Sequence, residues 1–113
     1  MIETVGDHYK LIIIIVKKDL SRKVIKTCVD AGAEGGTVFH GKGTGKHETG
    51  SILGVKIEPQ KDVILTLVEE NIVDEVLDNI TSAVRLDKPG TGIAMVLNSK
   101  SITGIAHLLD KDF

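Results

Sequence analysis

A glycine-rich run at residues 41–46 is the first segment whose composition suits chemistry. It reads Gly-Lys-Gly-Thr-Gly-Lys, so a flexible backbone can turn N–H groups and two ammonium groups toward an anion. The run is not a Walker phosphate-binding loop, because His47 occupies the position that should carry a serine or threonine hydroxyl. It predicts a phosphate cradle, although a solvated loop without a ligand would have the same composition.

A second glycine turn, at residues 87–92, offers similar groups. Gly90 and Gly92 flank Thr91, which places flexible N–H groups and one hydroxyl within three residues. The Pro89-Gly90 pair is equally typical of an ordinary turn before a strand. Taken alone, the composition of this segment indicates an ordinary turn rather than a phosphate-binding site.

Other side chains give weaker indications of a reactive site. His40, His47 and Glu48 could bind a metal ion, but their spacing matches no zinc pattern. Cys28 falls on the apolar face of a predicted helix, which indicates a buried core thiol rather than a nucleophile. No catalytic combination of serine, histidine and acid stands out, and no carboxylate pair lies in a glycine-rich loop. We therefore expect no enzymatic activity; an enzyme acting on a phosphorylated substrate would have only His47 as its general base.

The composition narrows the class of protein. The 113 residues predict a single domain, 1–113, with an N-terminal extension at 1–8. The net charge of −2 gives no basic field for nucleic acid. The longest apolar run, residues 11–16, is far shorter than the roughly 20 residues of a membrane span. A lone cysteine agrees with a reducing compartment, so we expect a cytoplasmic protein.

The elements that must position these loops follow from hydrophobic spacing. Strands are predicted at residues 11–16, 37–39, 63–68 and 93–97. Helices are predicted from residue 19 or 21 to Gly32 and over residues 72–84, because apolar residues recur every three or four positions. The tail at residues 102–109 is either a short strand or a helical turn. The order predicts an α+β, ferredoxin-like βαββαβ fold, a four-stranded antiparallel sheet with two helices on one face and a long loop between the second and third strands.

The other face of this sheet is predicted to lack a helical cover. The residues assigned to it are aliphatic: Ile12, Ile14, Val38, Leu65, Leu67 and Val96. An exposed apolar face of that size is typical of an association surface. We therefore expect an oligomer.

Three segments together resemble the PII signal-transduction family, over residues 9–106. The first is Gly-Ala-Glu-Gly-Gly-Thr-Val at residues 32–38, followed by Gly-Thr-Gly at residues 43–45. The second is Glu-Asn-Ile-Val-Asp at residues 70–74, and the third is Gly-Thr-Gly at residues 90–92. The chain is identified on these segments as a divergent member.

The resemblance implies a homotrimer that binds an adenine nucleotide between protomers. It also implies that a T-loop, residues 41–60, docks on a target protein, often a membrane transporter. By position, Ile15, Thr37 and Leu67 would border the base with Gly35 close by, and Gly43, Gly45 and Lys46 would approach the phosphates. Lys61 matches a family lysine that reaches phosphate or closes onto the T-loop. The N–H groups of Gly90, Thr91 and Gly92 match the phosphate-binding B-loop.

Several departures from the family pattern change the expected ligand and role. Ile93 replaces a B-loop lysine, and Gly104 and Ala106 replace two arginines of the last strand. Each lost charge-assisted hydrogen bond is worth about 1.5–3 kcal/mol, so ADP, AMP or a cyclic nucleotide is favoured and ATP binding is weakened. The only tyrosine is Tyr9, so uridylylation of the T-loop is not expected and a role in nitrogen control stays open.

The alternative to a nucleotide-binding PII protein is a trimeric protein resembling the divalent-cation tolerance proteins, with His40, His47 and Glu48 as metal ligands. The nucleotide-binding hypothesis requires no metal.

Overall fold

A four-stranded antiparallel sheet forms the centre of the fold. The structure is a computed structural model that describes residues 8–44, 51–52, 55–56 and 59–103. The strands of the sheet are β1 (Tyr9–Lys17), β2 (Thr37–Lys42), β5 (Gln60–Glu69) and β6 (Gly92–Asn98). Their order across the sheet is β2-β5-β1-β6, so the aliphatic β1 is a central strand, as predicted. A short hairpin of β3 (Ser51–Ile52) and β4 (Val55–Lys56) lies between β2 and β5 in the chain.

Two helices cover one face of the sheet. They are α1 (Ser21–Asp30) and α2 (Val73–Val84), and a 3-10 turn (Glu70–Ile72) leads into α2. Their apolar spacing brings buried side chains onto the sheet; these are Val24 and Cys28 of α1 and Val76, Ile80 and Val84 of α2. Burial of each aliphatic side chain contributes about 1.5–3 kcal/mol. The predicted ferredoxin-like fold is confirmed.

The strand register corrects the prediction of which residues lie on the uncovered face. Ile12 and Ile14 are fully buried in the core beneath the helices, and Val38 and Val96 pair with Ile64 and Ile12 on that same side. Only Leu65 and Leu67 of the predicted set lie on the open face. The error arises because successive side chains of a strand point to opposite faces of the sheet. In an unbroken aliphatic run, the sequence does not show which alternate residues face the helices.

The open face is nevertheless apolar. Its side chains are Leu11, Ile13 and Ile15 of β1, Val63, Leu65 and Leu67 of β5, Phe39 of β2, and Ile93, Met95 and Leu97 of β6. Phe39 and the three β6 residues are exposed, with Ile93 at 55%. The sheet therefore has an uncovered apolar face, as expected, but most of the residues on it differ from those predicted.

Each strand is longer than its apolar run. The ladder adds polar residues at the ends, including Lys17, Lys42 and Lys61. Backbone pairing does not depend on side-chain polarity at a sheet end, so hydrophobic patterning underestimates strand length there. Gly41 and Lys42 consequently belong to β2 and Gln60 to β5, which leaves residues 43–59 as the long loop. The tail from residue 104 and the extension at residues 1–7 lie outside the described residues.

Candidate functional site

The long loop, the β1–α1 turn and the glycine turn before β6 meet at one end of the sheet, which we call the loop end. The register shows this, since Lys61 of β5 pairs with both Gly41 and Lys17. Gly92, where β6 begins, pairs with Val16 in the same region. Antiparallel topology thus brings together three loops that are separated in the sequence by whole strands and helices.

Ile15 and Gly92 are in direct contact at the loop end. A Cβ added to Gly92 would lie 2.4 Å from the carbonyl oxygen of Ile15 and 2.9 Å from Cγ1 of Val16. Gly92 also has φ +151°, a value that side chains rarely adopt. Glycine at this position therefore lets the turn approach the backbone of β1 more closely than another residue would allow.

Thr91 uses its hydroxyl to hold the turn together. Its Oγ1 lies 2.6 Å from the carbonyl oxygen of Arg85 and 2.8 Å from that of Lys88, so its proton is directed into the turn. Gly90 adopts φ +80° beside it. The donors that this turn can present to an anion are consequently backbone N–H groups, not the Thr91 hydroxyl proton.

Arg85 and Asp87 form a two-bond ion pair on the turn. Nε donates to Oδ1 at 3.1 Å and Nη2 to Oδ2 at 3.0 Å. The hydrogen bond from Arg85 lowers the pKa of the Asp87 carboxyl. The guanidinium charge is already matched within the turn, which reduces what it can offer to a phosphate.

Gly43 and Lys61 come together at the base of the long loop. The Gly43 N–H donates to the carbonyl of Pro59 at 3.0 Å, which closes the loop where β2 and β5 end. A Cβ on Gly43 would lie 3.5 Å from Cγ of Lys61, so the lysine stem packs beneath the glycine. Gly45 and Lys46, predicted to approach phosphate, lie outside the described residues.

The remaining predicted residues, Leu67, Thr37 and Gly35, lie further along the sheet than Ile15. Ile15 pairs with Val63, and Leu67 is four residues beyond Val63 on β5, about 13 Å away at strand spacing. Thr37 begins β2 and pairs with Leu65, while the carbonyl of Gly35 accepts the Thr66 hydroxyl at 2.6 Å. Within one chain these residues form two groups: one at the loop end, and one half-way down the sheet.

The comparison with protein families adds an independent observation. The sequence matches the model of the nitrogen regulatory protein P-II over residues 9–105. The chain belongs to the PII family. The matched range covers most of the chain and agrees with the resemblance read from residues 9–106. No curated protein matches the sequence significantly.

PII proteins are signalling regulators that are generally non-enzymatic, and they generally form trimers that act on target proteins. This PII chain contains no helix, among its described residues, that is long and apolar enough to cross a bilayer. Cys28 is buried, and desolvation raises the pKa of its thiol to about 11. The thiol is therefore protonated at neutral pH and is not an activated nucleophile.

A buried carboxylate at the loop end of this PII chain was missed by the sequence reasoning. Asp62 is 1% exposed; it accepts the Asp19 N–H at 3.1 Å, and its Oδ1 lies 2.6 Å from Nδ1 of His40. Burial alone would raise its pKa, but hydrogen bonds from His40, Ser21 and Asp19 outweigh burial and lower it. Asp62 therefore ties β5 to β2 and to the β1–α1 turn. Its signal in the sequence was a charge directly before the apolar run of β5.

The same contact bears on the metal hypothesis. With Asp62 ionised, Nδ1 of His40 carries the shared proton and donates it to the carboxylate. Within the described part of the chain, no group of three histidine, cysteine or acidic side chains could hold a metal ion. His47 and Glu48, the other predicted ligands, lie outside that part.

Proposed function

We propose that this PII-family chain is a homotrimeric signalling protein that binds an adenine nucleotide between protomers and regulates a target through its long loop. The observation that carries the proposal is the convergence of two glycine segments at the loop end of a chain with a PII-family match. The proposed target is a membrane transporter, and the proposed location is the cytoplasm. We propose no catalytic role for any residue.

The open apolar face supports a trimer. Phe39, Ile93, Met95 and Leu97 are each exposed by more than a third in the isolated chain. Packing the open faces of three copies around a common axis would remove this surface from water, at about 25 cal/mol for each Å² covered. The two groups of predicted residues would then line the clefts where neighbouring sheets meet.

The side chains of the glycine turn before β6 support a ligand with few phosphates. The Thr91 hydroxyl and the Arg85 guanidinium are both engaged within the turn. Ile93, which replaces the family lysine, is a 55% exposed apolar side chain at the start of β6. With Ile93 in place of the family lysine, the turn has one cation fewer for phosphate, which favours ADP, AMP or a cyclic nucleotide over ATP, because each additional phosphate charge needs its own counter-charge.

Signalling would proceed by a shift between loop conformations. A ligand at the loop end changes the equilibrium of residues 43–59 only by its difference in affinity for the two conformations. The Gly43–Pro59 hydrogen bond at the loop base and the buried Lys61 beneath it are the contacts through which a ligand would act.

Isothermal titration with ATP, ADP, AMP and cyclic AMP tests the ligand. Absence of binding by all four would remove nucleotide sensing from the proposal. Ile93→Lys restores the missing ammonium and should tighten ATP binding about tenfold, as one charge-assisted hydrogen bond predicts. Because Ile93 also lies on the open face, this test requires a variant that remains the same size as the wild type in analytical ultracentrifugation. The matched control is Asn98→Lys, which adds the same charge at the far end of β6 and should leave the affinity unchanged.

The metal-binding alternative keeps one supporting observation. A histidine whose Nδ1–H is held by a carboxylate is typical of metal ligands, and His40 has this arrangement with Asp62. Metal analysis of the purified protein, with His40→Ala as the comparison, distinguishes this alternative. A stoichiometric divalent ion that the variant loses would replace the nucleotide proposal.

A further inference from the structure

The small net charge conceals a strongly one-sided distribution. Exposed cations gather at the loop end; they are Lys17, Lys18, Arg22, Lys23, Lys42 and Lys88, which we call the basic end. The opposite end of the sheet, where β5 runs into α2, carries Glu69, Glu70, Asp74 and Glu75. Among the described residues, the two ends of the sheet therefore differ in the sign of their predominant charge.

The register places the basic end on adjacent elements. Lys42 of β2 pairs with Gln60, and the Lys18 N–H donates to the carbonyl of Gln60 at 3.2 Å. Lys17 pairs with Lys61 on the same two strands. Arg22 and Lys23 follow in the first turn of α1, directly after the β1–α1 turn.

Among the described residues, little negative charge opposes these cations. Asp62 is buried against His40, and Asp87 is bound to Arg85. Within the described part of the chain, none of the six cations of the basic end forms an ion pair. Asp19 is the remaining exposed carboxylate among the described residues at this end.

The positions of Arg22 and Lys23 oppose the dipole of their helix. The N-terminus of a helix carries partial positive charge, so acidic side chains are favoured there and basic ones are not. α1 has no acidic residue in its first turn and no side-chain cap, whereas α2 begins with Asp74 and Glu75. Helix stability explains the charges of α2 but not those of α1, which indicates that the cations serve another purpose.

Screening makes the basic end independent of the acidic end. The nine residues of β1 run between the two ends, a distance of about 27 Å at strand spacing. The Debye length at physiological salt is about 8 Å. A surface that approaches the loop end is therefore attracted by the cations there, despite the net charge of −2.

We propose that the basic end binds the anionic surface of a lipid bilayer. Five of the six cations are lysines, which act as hydrated point charges, and they are spread over two strand ends, two turns and a helix turn. Such a broad array suits many headgroups at once, whereas acidic peptides are typically bound by arginine forks. None of the six is adjacent in sequence to an aromatic residue that could stack on a base, which disfavours nucleic acid.

This inference goes beyond the proposed function, because lipid binding requires neither a nucleotide nor a transporter. In the proposed trimer the three chains are related by rotation about one axis, so their basic ends project in the same axial direction. If the axis follows the strands, three basic ends meet a flat surface together. Their joint attachment would bring the long loop, which leaves the sheet at this end, to the membrane.

Vesicle sedimentation tests the proposal with the full chain. The probes are vesicles of phosphatidylcholine alone and of phosphatidylcholine mixed with phosphatidylglycerol, each with and without added salt. We expect binding to the anionic vesicles, which salt abolishes. The paired substitution Arg22→Gln and Lys23→Gln removes two cations from each chain and should weaken binding at least about 30-fold, from about fivefold for each cation, and further where three basic ends attach together. The same variant should unfold at an equal or higher temperature, since it removes two charges that oppose the helix dipole.

The matched control is Lys10→Gln with Lys100→Gln, which changes the net charge equally but lies near the acidic end. It should bind the anionic vesicles like the wild type. The proposal is overturned if the wild type does not sediment with anionic vesicles, if it binds both vesicle types equally, or if the control loses as much affinity. Tighter binding to a DNA duplex or to immobilised polyaspartate would assign the basic end to another partner. None of these results bears on the nucleotide titration.

Discussion

Replacing Asp62 by asparagine should destabilise the protein strongly at neutral pH. The carboxylate is 1% exposed and has three donors, namely Asp19 N–H at 3.1 Å, His40 Nδ1 at 2.6 Å and the Ser21 side chain. Asparagine keeps the shape but presents an NH₂ group to donors that need an acceptor. A hydrogen bond to a charged group is worth about 1.5–3 kcal/mol, so at least one bond is lost and the others are weakened.

Neutralising a buried charge also removes its desolvation cost, which opposes this loss. The lowered pKa of Asp62 shows that its hydrogen bonds outweigh the desolvation. We therefore expect a net loss of about 2–3 kcal/mol in the free energy of unfolding. For a domain of this size, that corresponds to a decrease in Tm of about 10 °C.

The pH dependence of this difference gives a second measurement. Because the pKa of Asp62 is lower in the folded than in the unfolded chain, the carboxylate stabilises the fold above its unfolded pKa of about 3.9. That stabilisation is lost as the pH falls through the folded pKa. The wild type and Asp62→Asn should therefore differ most at neutral pH and converge in acid.

Thermal unfolding should be followed from neutral pH to below pH 4 at one protein concentration, since subunit association also affects Tm. Asp87→Asn is the control, because Asp87 is exposed and bound to a single partner, Arg85; we expect only a small change there. We have assigned Asp62 as the residue that joins three elements. This assignment is refuted if Asp62→Asn and the wild type have equal Tm at pH 7. It is also refuted if their difference in Tm is the same at neutral and acid pH.

Two further substitutions test the turn and the open face. Gly92→Ala forces a Cβ to within 2.4 Å of the Ile15 carbonyl oxygen and should cost about 2–4 kcal/mol in thermal unfolding. Gly41→Ala, whose Cβ would meet nothing within 4 Å, should have little effect, and equal losses would contradict the close approach at Gly92. Met95→Glu places a charge on the open apolar face and should convert the proposed trimer into smaller species in analytical ultracentrifugation. Ser82→Glu, on the exposed side of α2, should leave the mass unchanged, and a trimeric Met95→Glu would show that the open face is not the interface.

The fold could be predicted from the sequence because its elements differ in period. Residues 72–84 repeat every three to four positions and residues 11–16 form an aliphatic run, so element type and order followed directly. The face of the sheet on which each strand residue lies could not be predicted. Ile12, Ile13, Ile14 and Ile15 are chemically identical, and only the pairing with Thr66, Leu65, Ile64 and Val63 shows that two of them face the helices.

The loop-end site was predictable in its glycines but not in its supporting contacts. Gly43 and Gly92 stand out because a flexible backbone is unusual next to strands, and each contacts another predicted residue. Asp62 gave only a charge at a strand end, and its three donors come from elements that are distant in the chain. Side-chain networks that join several elements depend on the tertiary arrangement, which local sequence patterns do not encode.

The charge at each end of the sheet also could not be predicted from local sequence patterns. A net value of −2 correctly describes the chain as a whole, yet antiparallel topology brings the charges of the β1–α1 turn, the end of β2 and the turn after α2 to one end. The acidic start of α2 is carried to the other end by the length of β5. The separation exceeds the screening length about threefold, so the two ends present different surfaces to a partner. A partner at the loop end is therefore selected by local positive charge, and the net charge does not predict it.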